Sequence, residues 1–184
     1  VDEAAQCMEA WVWGLIREEV KTLIMVGDTA QLPALVSEKG QQLGHNVSLM
    51  ERLLSNDYPY RLLDVQRRMH PEIVEYPNKM FYNNKLTTNY KPWEHEIKPY
   101  NVCLVHGVCR EVGTSFSNVK EASYCIDLSN SLLSYSDDIV IITPYQAQAR
   151  QILSMAPSVA VHTIDSFQGR EADIIIVSMV KEEE

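Results

Sequence analysis

The sequence predicts an α/β fold in which parallel strands alternate with helices. Two apolar runs, at residues 138–143 and 172–180, have the length and composition of strands that are buried on both faces of a sheet. Helix-compatible segments occupy residues 118–133 and 146–155, so that strands and helices alternate along the second part of the chain. This alternation is typical of a doubly wound parallel sheet.

A polar loop with the sequence DSFQGRE, at residues 165–171, joins a short predicted strand at 159–163 to the last apolar run. Its glycine, Gly169, suits an unusual backbone angle or the close approach of a ligand. Its acid, amide and guanidinium groups are able to meet a phosphate or a ribose. A solvated turn with a salt bridge has the same composition, so the loop alone leaves both interpretations open.

Composition indicates a globular chain with a substantial core. Of the 184 residues, 46% are hydrophobic and 22% are charged, and the formal net charge is −9. This charge argues against a protein that coats nucleic acid through a generally basic surface, but it permits a locally positive channel. No apolar run approaches the roughly 20 residues that span a bilayer, so we expect no membrane partner.

The four cysteines lack C-x-x-C spacing, and we expect them to be free thiols in an intracellular protein. Cys103, His106 and Cys109 are close enough in sequence to suggest a metal site. They lie, however, in an alternating run that is typical of a strand, and we interpret them as ordinary strand residues.

The chain opens on VDEAAQ, without an initiator methionine, and closes just after a predicted strand. We therefore expect it to be an excerpt of a larger protein. Residues 56–59, with the sequence NDYP, interrupt the regular pattern. A domain boundary is predicted there, between one portion at residues 1–58 and a second domain at residues 59–184.

Two acidic residues, Asp2 and Glu3, open the chain ahead of a helix-compatible stretch at residues 4–11. Adjacent carboxylates at the end of a strand are able to divide two tasks: one holds Mg²⁺ and the other polarises an attacking water. Acidic residues at the N-terminus of a helix, where they are favourable to its dipole, have the same pattern.

A buried strand is predicted at residues 22–26, and it ends in GDTAQLP at residues 27–33. Polar residues that follow a strand lie at the carboxyl edge of the sheet, which is where ligands bind in open α/β folds. Gln31 is thereby placed to touch a terminal phosphate. A plain strand-to-helix turn is the alternative interpretation.

Three further elements are predicted in the middle of the chain. Residues 38–46 are polar and contain glycine, which indicates a loop. Ser48 and Glu51 form a capping box, which predicts a short helix through residue 54. Residues 60–65 have the composition of a strand.

The stretch QRRMHP follows at residues 66–71, and Pro71 suits the first turn of a helix that runs toward Tyr82. Two arginines at such a strand-to-helix junction are able to project into a cleft. Arg68, with its permanent charge and fork-shaped donors, suits a phosphate. A pair of ordinary surface arginines is the alternative.

The remaining predictions concern the second half of the chain. Residues 83–100 are irregular and indicate a loop, whereas residues 101–105 resemble a strand. The helix that follows is predicted to be capped by Asn118 or Ser117. The strand at 138–143 runs into PYQAQ, residues 144–148, at the start of the next helix.

In this order and spacing, the stretches resemble the superfamily 1 helicases of the nonsense-mediated-decay and senataxin type. The match covers most of the chain. The motifs that carry it are VDEAAQ at 1–6 (motif II), GDTAQLP at 27–33 (motif III), QRRMHP at 66–71 with FY at 81–82 (motif IV and its sequel), SFSN at 115–118, ITPYQ at 142–146 and DSFQGRE at 165–171 (motif V).

The resemblance implies a P-loop NTPase fold of the RecA-like type, with parallel sheets flanked by helices. The chain would contain the C-terminal part of a first RecA-like domain and most of a second, with ATP in the cleft between them. The implied activity is that of an ATP-dependent helicase or translocase, which uses ATP and Mg²⁺ and moves 5′ to 3′ on single-stranded RNA or DNA.

The resemblance also implies roles for individual residues. Asp2 would coordinate Mg²⁺, Glu3 would activate the hydrolytic water, and Gln31 would sense the γ-phosphate. Arg68 would neutralise the charge that develops on that phosphate, which contributes several powers of ten in rate in phosphoryl transfer. Arg67, beside it, would also contact the nucleotide. Many relatives carry tyrosine at this position.

Other positions would hold the nucleoside or the nucleic acid. Glu171 would hold the ribose or the network on the nucleotide side, and Gly169 would allow close approach. The positions that match nucleic-acid contacts are Ser117, Asn118, Thr143, Pro144 and Thr163. Contacts to the backbone of a strand fix its position without reading its sequence.

The sequence also departs from the family pattern. It contains no G-x-x-x-x-G-K-[ST] loop to cradle phosphates, and the arginine-bearing motif VI is absent. We therefore expect the 184-residue chain alone to bind ATP poorly and to be inactive.

Two alternatives are a catalytically inactive helicase-like domain, which binds nucleic acid or serves as a scaffold, and an unrelated P-loop ATPase. The presence of Asp2, Glu3, Gln31 and Arg68 opposes the first alternative. The stretches QRRMHP and DSFQGRE oppose the second, because they are not expected in other P-loop ATPases.

Overall fold

A computed structural model describes residues 1–91 and 98–181 of the chain. It divides into two compact units, Val1–Tyr100 and Asn101–Glu184. The division into domains at residues 58 and 59 stays a prediction. Of the predicted loop at 83–100, residues 92–97 lie outside the described part of the chain.

In its described residues, 1–91 and 98–100, the first unit consists of short helices, two very short strands and extended backbone. Ser48 accepts a hydrogen bond from the Glu51 nitrogen at 3.0 Å, and the predicted capped helix is confirmed. Pro71 lies in the first turn of the next helix, also as predicted. The elements are a 3-10 turn (Ala4–Gln6), α1 (Glu9–Leu15), α2 (Glu38–Gln42), α3 (Leu49–Ser55), β1 (Val65–Gln66), α4 (Pro71–Phe81) and β2 (Thr87–Thr88), and β1 pairs with β2 in parallel.

The predicted strand at residues 22–26 is wrong as a regular element. The Val1 amino group donates to the Ile24 oxygen at 2.7 Å, and the Val26 nitrogen donates to the Val1 oxygen at 2.9 Å. These bonds have the pattern of a parallel pair. The segment is extended backbone rather than a regular strand, because the paired stretch is very short. The exposure of the Ile24 side chain, at 68%, also leaves the segment with little burial to stabilise a strand.

Three other predictions also need correction. The predicted strand at 60–65 is reduced to β1, Val65–Gln66, because residues 60–64 adopt no regular structure. Helix α2 lies within the predicted loop at 38–46 because Ser37 caps it, accepting a hydrogen bond from the Gly40 nitrogen at 3.2 Å. Residues 101–105 are not a strand. Val102 and Leu104 are 88% and 72% exposed, so no burial of side chains stabilises a strand there.

The second unit contains a hairpin and a parallel sheet. Its elements are β3 (Cys109–Val112), β4 (Ser115–Asn118), α5 (Val119–Leu132), β5 (Ile139–Thr143), α6 (Gln146–Met155), β6 (Val161–Thr163), α7 (Ile164–Phe167) and β7 (Ile174–Val177). Strands β3 and β4 are antiparallel, and the sheet has the order β6-β5-β7 with both pairs parallel. The predicted α/β class is confirmed.

The core of the second unit lies on one face of the parallel sheet. On that face, residues of β5 and β7 pack against α5 and α6; the cluster consists of Ile139, Ile141, Ile176, Ala122, Cys125 and Ile152. Alternation along β7 turns Ile175 and Val177 to the other face, where they are 45% and 55% exposed. The expectation that this last strand is buried on both faces is therefore wrong.

All four cysteines are free thiols, and their surroundings differ. Cys103 and Cys109 are exposed, whereas Cys125 is buried in the core. Burial raises the pKa of the Cys125 thiol to about 11, and the nearby Glu121 carboxylate adds to the effect. Cys125 is therefore an inert core residue at neutral pH.

Within residues 1–91 and 98–181, no helix is both long and apolar enough to cross a membrane. The same residues contain no group of three or more histidine, cysteine, aspartate or glutamate side chains that could hold a metal ion.

Candidate functional site

The first part of the candidate site is the turn at Asp2 and Glu3. Glu3 has a φ of 48°, which is uncommon for a residue other than glycine. Local hydrogen bonds accompany this conformation: the Glu3 nitrogen donates to Asp2 Oδ1, and Gln6 Nε2 donates to Glu3 Oε2, both at 3.0 Å. Uncommon backbone angles of this kind persist where surrounding contacts hold them, and they cluster at functional sites.

Both carboxylates of this turn are exposed. A magnesium ion at a nucleotide site takes one or two protein carboxylates, and substrate phosphates and waters complete its shell. A single exposed carboxylate at Asp2 fits that donor set.

Glycine at position 27 allows the second part of the site to lie against the first. The Ala4 nitrogen donates to the Val26 oxygen at 2.8 Å, so the two backbone segments are in direct contact. A Cβ atom at Gly27 would lie 2.8 Å from the nitrogens of both Ala4 and Ala5, and no side chain fits there. The structure therefore brings the turn before Ala4 together with the loop after Gly27.

That loop is organised by the carboxylate of Asp28. Its Oδ1 atom accepts from the Ala30 nitrogen at 2.9 Å. Its Oδ2 atom accepts from Gln31 Nε2 at 2.8 Å and from the Tyr82 hydroxyl at 2.6 Å. Partial burial, followed by the bond to Asp28 and the charge of its carboxylate, raises the pKa of Tyr82 to about 12.

Sequence reasoning missed both Asp28 and Tyr82 as site residues. Aspartate side chains in turns often accept a hydrogen bond from the backbone nitrogen two residues ahead, so the role of Asp28 in this turn was predictable from the sequence. Its bond to Tyr82 was not, because 54 positions separate the two residues.

The arginine pair lies in a turn held by the side chain of Gln66. Gln66 Oε1 accepts from the nitrogens of Arg68 and Met69 at 3.1 and 2.9 Å. Its Nε2 donates to the Met69 oxygen at 2.8 Å and to Thr88 Oγ1 at 3.0 Å. Arg67 and Arg68 are exposed on this turn. Gln66 is a third residue that sequence reasoning missed.

Helix α4 separates this turn from Tyr82. It contains 11 residues, and an α-helix of that length extends about 16 Å at 1.5 Å per residue. The Arg68 turn precedes its first residue and Tyr82 is its C-cap, so the two lie at opposite ends of one helix.

The DSFQGRE stretch is only partly a loop. Its first half belongs to α7, where Thr163 and Ser166 form a reciprocal capping box and Phe167 is buried. The all-loop prediction for this stretch is therefore wrong, since the cap and the buried ring stabilise a helical turn. Gly169 and Glu171 lie beyond it and are exposed.

Gly169 has a φ of 77°, in the region that favours glycine. Apart from its chain neighbours, no described residue has an atom within 4 Å of the position that its Cβ would occupy. The backbone angle, rather than crowding by other described residues, is what favours glycine at this position.

The five predicted nucleic-acid residues differ in exposure. Ser117, Asn118 and Thr143 are buried, at 5%, 2% and 0% of their accessible surface. Pro144 is exposed and Thr163 is half-buried. Asn118 caps α5 by accepting from the Glu121 nitrogen at 3.2 Å, and Thr143 Oγ1 accepts from the Tyr145 nitrogen at 3.3 Å. Contact of these five residues with nucleic acid stays a prediction.

Asn118 is held by a buried network around Gln148. The Asn118 nitrogen donates to Gln148 Oε1 at 2.8 Å, and Gln148 Nε2 donates to the Asn118 oxygen at 3.2 Å and to Ser178 Oγ at 3.0 Å. The Ser178 hydroxyl and the Val180 nitrogen both donate to Glu121 Oε1, at 2.7 and 3.0 Å. Val180 has a φ of 68°, unusual for a β-branched residue, and Glu121 holds it there.

Replacing Gln148 with leucine is expected to lower the free energy of unfolding by about 3 kcal/mol, because the buried Asn118 nitrogen would lose its acceptor. Gln146→Leu is the matched control on the same helix, since Gln146 is exposed, and it is expected to change stability by less than about 0.5 kcal/mol. Urea denaturation of the two variants and the wild type measures the difference. Equal stabilities for the two variants would contradict a stabilising role for the network.

Two family models match the chain, and both are described as AAA domain. One covers residues 45–184 and the other covers residues 1–39. The two matches together account for nearly the whole chain.

Similar curated proteins are named as helicases or as regulators of nonsense transcripts. An uncharacterized ATP-dependent helicase of Methanocaldococcus jannaschii is 34% identical, with 98% of this chain and 31% of that protein covered. Helicase SEN1 of Saccharomyces cerevisiae is 32% identical, with 98% of this chain and 9% of that protein covered. Regulator of nonsense transcripts 1 of Dictyostelium discoideum is 33% identical, with 98% and 16% covered. The chain thus spans less than a third of the length of each of these three proteins.

Proposed function

Because the chain belongs to the superfamily 1 helicases of the nonsense-mediated-decay and senataxin type, which have a RecA-like α/β fold, we propose that the full-length protein couples ATP hydrolysis to movement along single-stranded RNA or DNA. The observation that carries this proposal is the contact between the turn of Asp2 and Glu3 and the loop of Gln31. Gly27 and the bond from Ala4 to Val26 hold these two motif segments side by side.

In this proposal the carboxylates act on the phosphates and the water. Asp2 would hold Mg²⁺, which when bound would neutralise phosphate charge. Glu3 orients the water and takes its proton. Gln31 donates a hydrogen bond to the γ-phosphate. Arg68 stabilises the charge that develops on it, although its turn lies at the opposite end of α4 from Tyr82, which contacts the loop of Gln31.

The remaining predicted residues bind the rest of ATP and the strand. Glu171 binds the ribose side, with Gly169 beside it, and Arg67 contributes to the nucleotide contacts. The strand is bound at its backbone, in the manner of proteins that hold single strands without reading their sequence. The residues assigned to it are Ser117, Asn118, Thr143, Pro144 and Thr163. We infer movement in the 5′ to 3′ direction.

The test is ATP hydrolysis by the full-length protein with Mg²⁺, measured without nucleic acid, with single-stranded RNA and with single-stranded DNA. Stimulation by either strand is expected, and the stronger stimulator identifies the substrate. Duplexes with a 5′ overhang are expected to be unwound and those with a 3′ overhang are not. The 184-residue chain tested alone is expected to be inactive.

Strand binding without ATP turnover under any of these conditions would contradict the proposal. That outcome would favour a helicase-like domain that binds nucleic acid and has no catalytic activity.

A further inference from the structure

One carboxylate oxygen connects the proposed phosphate-sensing loop to the end of α4. Asp28 Oδ2 accepts two hydrogen bonds, from Gln31 Nε2 at 2.8 Å and from the Tyr82 hydroxyl at 2.6 Å. Asp28 and Tyr82 are both partly buried, whereas Gln31 is exposed. The exposed side chain is therefore attached to a partner that other groups already hold in place.

The bond to Asp28 determines which atom of the Gln31 amide lies on that side. A carboxylate accepts hydrogen bonds only, so the amide nitrogen must face it. That nitrogen carries two hydrogens, and the bond to Asp28 uses one of them. The Gln31 side chain also hydrogen-bonds Tyr82, which acts against the rise in the Tyr82 pKa, so a phosphate would take this second hydrogen in place of the phenol oxygen. Phosphate oxygens require donors, so this orientation suits a γ-phosphate, and the reverse orientation of the amide would not.

Tyr82 is itself held in place by the end of its helix. The Tyr82 nitrogen donates to the Asn78 oxygen at 3.1 Å. The Asn78 side chain then fixes the following turn through Leu86: its Nδ2 donates to the Leu86 oxygen at 3.0 Å, and its Oδ1 accepts from the Leu86 nitrogen at 2.9 Å. The Tyr82 hydroxyl therefore reaches Asp28 from a supported backbone.

The Tyr82 hydroxyl is a donor throughout the neutral range. Burial and the bond to Asp28 raise the pKa of Tyr82 to about 12, so the phenol keeps its proton. A neutral donor on a carboxylate makes a charge-assisted hydrogen bond, which is shorter and stronger than one between neutral groups. The length of 2.6 Å agrees with this class of bond.

We propose that Tyr82 is a positioning residue for ATP hydrolysis: its hydroxyl holds Asp28, and Asp28 holds the Gln31 amide with its nitrogen toward the γ-phosphate. Tyr82 acts through Asp28 and does not touch ATP. The inference rests on the proposed function, since it requires that Gln31 meets the γ-phosphate during hydrolysis.

The test uses Tyr82→Phe in the full-length protein, because this change removes the hydroxyl and keeps the ring. With single-stranded nucleic acid present, kcat is expected to fall about tenfold, the size of effect that follows from losing one charge-assisted hydrogen bond. KM for ATP is expected to stay unchanged, because the missing orientation matters in the transition state. Tyr76→Phe is the matched control on the same helix; Tyr76 is 68% exposed, and its variant is expected to match the wild type.

A double-mutant cycle separates positioning from simple stabilisation. In a Gln31→Ala background, Tyr82→Phe is expected to cause no further loss of kcat, because the residue that it positions is gone. Three results would overturn the inference: an additive loss in that background, a raised KM for ATP, or an unchanged kcat in the single variant. Turnover by the wild type in the same experiment would still support the proposed function. No turnover by the wild type would overturn both.

Discussion

Replacing Glu3 with glutamine is expected to reduce ATP turnover by the full-length protein about a thousandfold, the typical contribution of a general base. The amide has the shape of the carboxylate but cannot take a proton from the attacking water. Its oxygen is still able to accept the hydrogen bond that Gln6 Nε2 now donates to Glu3 Oε2, so the turn is expected to keep its conformation. ATP binding should therefore persist while hydrolysis is lost.

Two measurements check this result: ATP hydrolysis in the presence of single-stranded nucleic acid, and equilibrium binding of a fluorescent ATP analogue. Glu18→Gln is the matched control, since Glu18 is exposed and lies outside the candidate site. The control is expected to match the wild type in both assays. Near-normal turnover by the Glu3→Gln variant would remove Glu3 from the role of general base.

Replacing Arg68 with alanine is expected to lower kcat about a thousandfold, at the lower end of the range for arginines that stabilise phosphoryl-transfer transition states. Arg68→Lys is expected to recover only part of this loss, because lysine supplies a point charge without the planar fork of donors. The Arg68 nitrogen is held by Gln66 Oε1 through the backbone, so neither substitution removes that bond.

The measurement is single-turnover ATP hydrolysis, which isolates the chemical step from product release. Arg61→Ala serves as the control, since Arg61 is exposed and precedes β1. A loss of less than tenfold in the Arg68→Ala variant would contradict a direct role in the transition state.

Elements with local signals were predictable from the sequence. Helix α5 begins after Asn118, which caps it, and α4 begins at Pro71, so each helix start is encoded within a few residues. Strand β5 was found because its residues 139–143 form an apolar run that is almost entirely buried. These signals depend only on near neighbours, and they carry the α/β class.

Elements without such signals were missed. Residues 115–118 form strand β4 because they pair with β3, and no strong apolar alternation marks them. Helix α2 was missed because its cap, Ser37, precedes a glycine-containing segment that resembles a loop. In each case a partner or a single hydrogen bond overrides the local composition.

The residue types of the candidate site were predictable from the sequence, but the residues that hold them in place were not. The acids at positions 2 and 3, Gln31 and Arg68 were selected by motif, and their roles stay predictions. Tyr82, Gln66 and Gln148 were not selected, because their contacts reach residues 22 to 54 positions away. A pattern within a short stretch of sequence gives no information about partners that are this distant.

The bonds of Gln148 also have a consequence for the order in which the second unit folds. They join Gln148 to Asn118 and to Ser178, each 30 positions away in opposite directions. Closing loops of this length costs chain entropy, which the hydrogen bonds offset only after they have formed. Helices such as α5 and α6 form from local contacts and do not have this cost. The network needs loop closures as long as those that pair β5 with β7, where Ile139 lies opposite Ile174, so we expect it to form together with the sheet and after the local helices.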